Sequence, residues 1–87
     1  MSKLHLRADR LQWLETEGEV VALDETSLAY LAANESGAIL WKELAGGTTR
    51  DALVALLAET FSLDPEAAAA DTDRFLAELE RRGLLER

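Results

Sequence analysis

The chain has 87 residues, enough for one small domain, and carries 17 acidic against 9 basic side chains for a net charge of −8. That charge repels phosphate backbones and argues against nucleic acid as a partner. The absence of cysteine excludes a disulfide framework and thiolate chemistry. A hydrophobic share of 48% is ordinary for a folded domain and too high for a disordered one. No apolar stretch approaches the roughly 20 residues of a membrane span. The first residues, Met1 to Arg7, lack the apolar run of a signal peptide. A cytoplasmic location fits these features.

Residues 4–32 carry strand signals and residues 34–85 carry helix signals, with no linker between them. One α+β domain spanning 1–87 is the economical reading. Leu4-His5-Leu6 alternates and offers a short extra segment. The segment from Arg10 to Glu15 sets Leu11, Trp13 and Glu15 on one face and Gln12 and Leu14 on the other. Thr16-Glu17-Gly18-Glu19 supplies a bend in which glycine accommodates a positive φ. Val20-Val21-Ala22-Leu23 is the strongest β-former run. Asp24-Glu25-Thr26-Ser27 reads as a polar turn, and Leu28-Ala29-Tyr30-Leu31 as the third strand of an antiparallel meander. The sheet is therefore expected over about 10–32.

Three helices follow, over about 34–45, 49–61 and 65–82. Asn34 caps the first, and Gly46-Gly47 stops it. Thr48 or Thr49 caps the second, whose apolar positions Leu53, Leu56, Leu57 and Phe61 form a buried stripe. Asp64-Pro65-Glu66 opens the third, and Gly83 closes it beside Arg81 and Arg82. Leu84-Leu85 return to the core.

Little in the chain can do chemistry. The single histidine, His5, reads as a surface residue, because a metal centre needs three or four ligands. Glu15, Glu17, Glu19, Asp24 and Glu25 fall at strand ends and turns, where solvated charge is expected. Gly46-Gly47 precede a helix, but no P-loop lysine follows. No nucleophile elbow is present. No enzyme activity, metal or cofactor is expected. Trp41, Phe61 and Phe75 lie on apolar helix stripes and read as core. Tyr30 differs, because it lies on a strand expected at the sheet edge. That edge carries no charge and no proline to discourage pairing. Either another element covers it, or another strand is meant to pair there. The Ala67–Ala70 run reads as plain helix propensity, or as a thin surface that lets a backbone approach.

Taken in order, these pieces resemble the PqqD-like family of recognition elements for ribosomally made peptides. The resemblance rests on Val21-Ala22-Leu23-Asp24, Leu28-Ala29-Tyr30-Leu31, Asn34, Ala38-Ile39-Leu40-Trp41, Leu44 with Gly46-Gly47-Thr48-Thr49, and Leu53 with Leu56-Leu57. The ending, Asp71 to Leu79 then Gly83-Leu84-Leu85, is similar as well, so the likeness spans about residues 10–85. It departs in Ala33-Asn34, where relatives often carry Leu-Asn, and in a second turn without glycine. The resemblance implies a winged-helix-like fold, a three-stranded sheet followed by three helices. It implies a non-enzymatic domain that takes the leader region of a precursor peptide as a strand beside strand three. The partner it implies is a separate peptide-modifying enzyme, such as a radical SAM enzyme, protease or cyclase. Carried onto this chain, the binding residues are Leu28, Ala29, Tyr30 and Leu31 on the strand. Facing them on helix three are Asp73, Leu76, Ala77 and Glu80. Two other readings share the architecture: a winged-helix DNA-binding regulator, which lacks a basic recognition helix here, and a structural module dimerising through strand three.

Overall fold

The computed structural model describes residues 3–86. Two small sheets and three helices build it. A three-stranded antiparallel sheet has the order β2 (Leu11–Thr16), β3 (Glu19–Asp24), β4 (Ala29–Ala33). α1 (Glu35–Gly46), α2 (Arg50–Phe61) and α3 (Pro65–Arg81) follow, each bound within a residue of its expected position. β1 (His5–Leu6) pairs not with this sheet but with β5 (Leu85–Glu86), joining the two ends of the described chain.

Local chemistry sets the boundaries. Glu17 and Gly18 form a two-residue hairpin with both φ angles positive, at 51° and 81°. That is the type I′ geometry, whose twist matches the flanking strands. Asn34 caps α1 by accepting from the Gly37 amide at 3.1 Å. Thr49 caps α2 by accepting from the Ala52 amide at 3.2 Å. Thr48 instead bridges Leu4 through two main-chain bonds. α2 ends where Ser62 turns left-handed, and Pro65 opens α3.

The core lies between the inner face of the sheet and the three helices. Trp41, Leu40, Leu44, Leu53, Leu57, Leu79, Leu84 and Val20 are fully buried. Trp13 stands edge-on to Trp41 with ring centroids 6.0 Å apart. On α3 the buried residues are Ala68, Thr72, Leu76 and Leu79. Leu76, expected to face the strand, turns into the core, and Phe75, expected in the core, turns partly out. Phe61 is likewise only partly buried.

Two further expectations need correction. Leu28 is not in the third strand. It closes the turn after β3 with φ at 60°, donates its amide to the Asp24 carbonyl at 2.7 Å, and is 73% exposed. The strand starts at Ala29 and continues to Ala33. Asp24 is not a solvated turn residue but is buried. Its carboxylate accepts from the Thr26 amide and the Ser27 hydroxyl, each at 3.0 Å, and lies 3.7 Å from Arg10. Burial pushes the Asp24 pKa up. The bonds from Thr26 and Ser27 and the Arg10 charge outweigh that and hold it below its ordinary value. No helix of the described residues is long and apolar enough to cross a membrane.

Candidate functional site

β4 is an edge strand. It pairs with β3 on one side, and among the described residues no strand pairs with the other. The hairpin decides which of its main-chain groups are free. Thr16 and Glu19 flank the two-residue turn, so they exchange hydrogen bonds with each other. Alternation along β3 then turns Val20, Ala22 and Asp24 toward β4. Their partners are Ala33, Leu31 and Ala29. Tyr30 and Ala32 are left with N–H and C=O groups directed away from the sheet. Five uncharged residues, Ala29-Tyr30-Leu31-Ala32-Ala33, thus present two pairs of free main-chain groups.

That edge faces α3 across a cleft of about 540 Å³. One wall is β4 from Tyr30 to Ala33. The opposite wall is Phe75, Glu78, Leu79 and Arg82, and Asn34 and Gly37 line the end at the start of α1. Gly37 is needed for close approach: a Cβ there would stand 3.0 Å from the Ala33 Cβ and 3.2 Å from the Phe75 ring. The walls are apolar at Leu31, Phe75 and Leu79 and charged at one end. Arg82 donates to Glu78 at 2.7 Å. Hydrogen bonds from Arg81, then Arg82, hold the Glu78 carboxyl below its usual range.

Asn34 also lines a wider basin of about 690 Å³. Glu17, Glu19, Glu35 and Asp71 surround it over Phe61 and Leu63, so the ground beyond this end of the cleft is acidic. Among the described residues no three His, Cys, Asp or Glu side chains, these four acids included, are placed to hold a metal ion together.

The expected strand residues Ala29, Tyr30 and Leu31 lie on β4, with Leu28 just before it. The expected helix residues do not face the strand. Asp73, Leu76, Ala77 and Glu80 line a separate hollow of about 390 Å³ with Leu4 and Arg50. There Arg50 grips Asp73 through its Nε at 3.0 Å and an Nη at 2.9 Å, tying α2 to α3. This pairing lowers the Asp73 pKa and raises that of Arg50. It also occupies the single basic side chain of α2, the helix a DNA-binding reading would require. The helix positions that face β4 are Phe75, Glu78, Leu79 and Arg82. The Glu78–Arg82 pair at i, i+4, flanked by Phe75 and Leu79, was the available sequence signal for this flank.

A sheet of three strands with a free third edge, followed by three helices with the last across a cleft, defines an α+β fold with one open strand edge. The family model of coenzyme PQQ synthesis protein D (PqqD) matches residues 19–85. The chain belongs to the PqqD family. Two solved structures share its fold. TbiB1, in complex with the TbiA(beta) leader peptide, superposes with a TM-score of 0.86 at 24% identity, covering 94% of each chain. Lasso peptide synthetase B1, complexed with the leader peptide, superposes with a TM-score of 0.84 at 20% identity, covering 99% of this chain and 100% of that one. No curated protein matches the chain in sequence.

Proposed function

We propose that this domain binds the leader region of a ribosomally synthesised precursor peptide and presents it to a separate peptide-modifying enzyme. The leader adds as a strand to β4 in the cleft against α3. The observation that carries this reading is the uncharged free edge of β4, with the outward main-chain groups of Tyr30 and Ala32 beside an apolar wall. Main-chain bonds to those two residues supply affinity, and the cleft at Leu31, Phe75 and Leu79 supplies register. Family membership and the two leader-peptide complexes of the same fold support it. The domain itself does no chemistry. It raises the local concentration of substrate at an enzyme such as a radical SAM enzyme, protease or cyclase.

Fluorescence polarisation with labelled leader peptides, taken from precursor genes adjoining this one, tests the reading. Saturable binding at micromolar concentration, competed by unlabelled leader, is expected. Absence of binding to any of them would count against it. A persistent dimer that hides β4 in light scattering would favour the structural module instead.

A further inference from the structure

The outer face of the sheet is not the polar surface that an antiparallel sheet ordinarily turns to water. Two of its cross-strand rows span all three strands, Gln12–Leu23–Tyr30 and Leu14–Val21–Ala32, and the polar pair Thr16–Glu19 lies beside the hairpin, without a partner on β4. In the two full rows only Gln12 is a polar aliphatic side chain. Leu14, Val21 and Tyr30 are 59%, 39% and 73% exposed. A shallow hollow of about 280 Å³ opens there, lined by Leu14, Val21, Leu23 and Tyr30 together with Gln12, Trp13 and Ala22. It adjoins the free edge, because Tyr30 and Ala32 carry both the outward main-chain groups and the side chains of the row nearest that edge.

A strand added to β4 turns alternate side chains to opposite faces. One set enters the cleft opposite Leu31, toward Phe75 and Leu79. The other set lies beside Tyr30 and Ala32. Side chains directly opposite one another stand about 4.5–5.5 Å apart at Cβ, and diagonal ones about 7–8 Å. Ala32 ends at its Cβ, so a long side chain opposite it reaches over to Val21, its cross-strand neighbour. The Tyr30 ring flanks the same space. Both faces of the added strand therefore meet apolar surface. Strands buried on both faces are built from continuous apolar runs, not alternating ones.

We infer, resting on the strand-addition reading above, that the outer sheet face is a second specificity surface for the same peptide. The bound segment is then a run of at least three consecutive apolar residues: the middle one enters the cleft, and its two neighbours cover Ala32 and Tyr30.

Selection of phage-displayed random dodecapeptides on the intact chain, and on its Val21→Lys and Tyr30→Glu variants, tests this. The wild-type chain should enrich runs of three or more apolar residues. Each variant should keep the apolar middle position and lose the preference at a neighbouring one. A synthetic peptide of the wild-type consensus should bind each variant about tenfold more weakly, the effect of losing contact with one apolar side chain. Both substituted positions are solvent-exposed, and circular dichroism checks the fold. The wild-type consensus decides the matter by itself if a variant does not fold. Enriched peptides that alternate apolar with polar residues would overturn the inference and leave strand addition standing. So would a Val21→Lys consensus identical to the wild-type one. A wild-type dimer dispersed by Val21→Lys, without a change in consensus, would assign the face to a second copy and overturn it too. Enrichment of no peptide at all would remove strand addition and this inference together.

Discussion

Replacing Ala32 with proline separates binding from folding. The Ala32 N–H points away from the sheet, so proline there removes no bond from the β3–β4 ladder. Proline is tolerated on an edge strand whose N–H faces solvent, and its restriction on the preceding residue suits Leu31, which is already extended. A paired leader strand, by contrast, loses a donor. The missing hydrogen bond removes about 0.5–1.5 kcal/mol, and the peptide carbonyl left without a partner adds about 1–3 kcal/mol of desolvation. Together these come to about 1.5–4.5 kcal/mol, or roughly 10- to 1,500-fold in Kd. Leu31→Pro is the control, because the Leu31 N–H faces Ala22 and its loss weakens the sheet itself. Thermal melts should show Ala32→Pro close to wild type and Leu31→Pro clearly destabilised. Polarisation titrations should show the affinity loss in Ala32→Pro. A folded Ala32→Pro protein that binds leader with wild-type affinity would refute strand addition to this edge. Equal destabilisation by the two prolines would refute the assigned alternation.

Gly37→Leu should crowd Ala33 and Phe75, destabilise by about 1–3 kcal/mol in urea titrations, and weaken leader binding at least about tenfold by filling the cleft. Ala77→Glu, on the flank of α3 turned away from β4, should leave leader affinity within about twofold by the same polarisation assay. Trp41→Ala should cost about 3–5 kcal/mol, read by urea titration, because the ring is wholly buried. Asp24, Asp73 and Glu78 all have folded pKa values below their ordinary ones of 3.8, 3.8 and 4.5. Their contribution to stability is therefore complete above those ordinary values and lost as pH falls through the lower folded ones. The melting temperature should hold steady from neutral pH to about 5 and fall below it, and Asp24→Asn should shallow that acid limb.

Much of the fold was legible because its boundaries are set by local chemistry. Glu17-Gly18, Asn34, Thr49 and Pro65 each specify a turn or cap through their own main-chain demands, independent of distant contacts. Leu28 was misread because an apolar residue two before Tyr30 continues a strand pattern. In the folded chain the five-residue turn from Asp24 to Leu28 instead places it in the left-handed region, where leucine is rare. The buried Asp24 was missed because its bonds to Thr26 and Ser27 are local, but the burial that gives them weight is tertiary. The edge strand at the site was legible in the absence of charge from Leu28 to Leu31. The helix wall was not. Two flanks of α3 satisfy helical spacing equally, one through Phe75, Glu78 and Arg82, the other through Asp73, Leu76, Ala77 and Glu80. Only the way α3 settles on α2, fixed in part by the Arg50–Asp73 clasp, decides which flank looks at β4.

The alternation along β4 divides the strand by parity. Odd positions 29, 31 and 33 hold the ladder to β3, and even positions 30 and 32 are turned outward. The side chains divide by the same parity but in the other sense: Leu31 and Ala33 stand on the cleft side, Tyr30 and Ala32 on the outer face. On the strand-addition proposal, pairing rests on the main chain of the even positions, which every residue but proline supplies, while pocket fit rests on the side chain of Leu31. Holding a strand and choosing its sequence are thus separable properties of β4, and a substitution at Leu31 can retune the second while leaving the first in place.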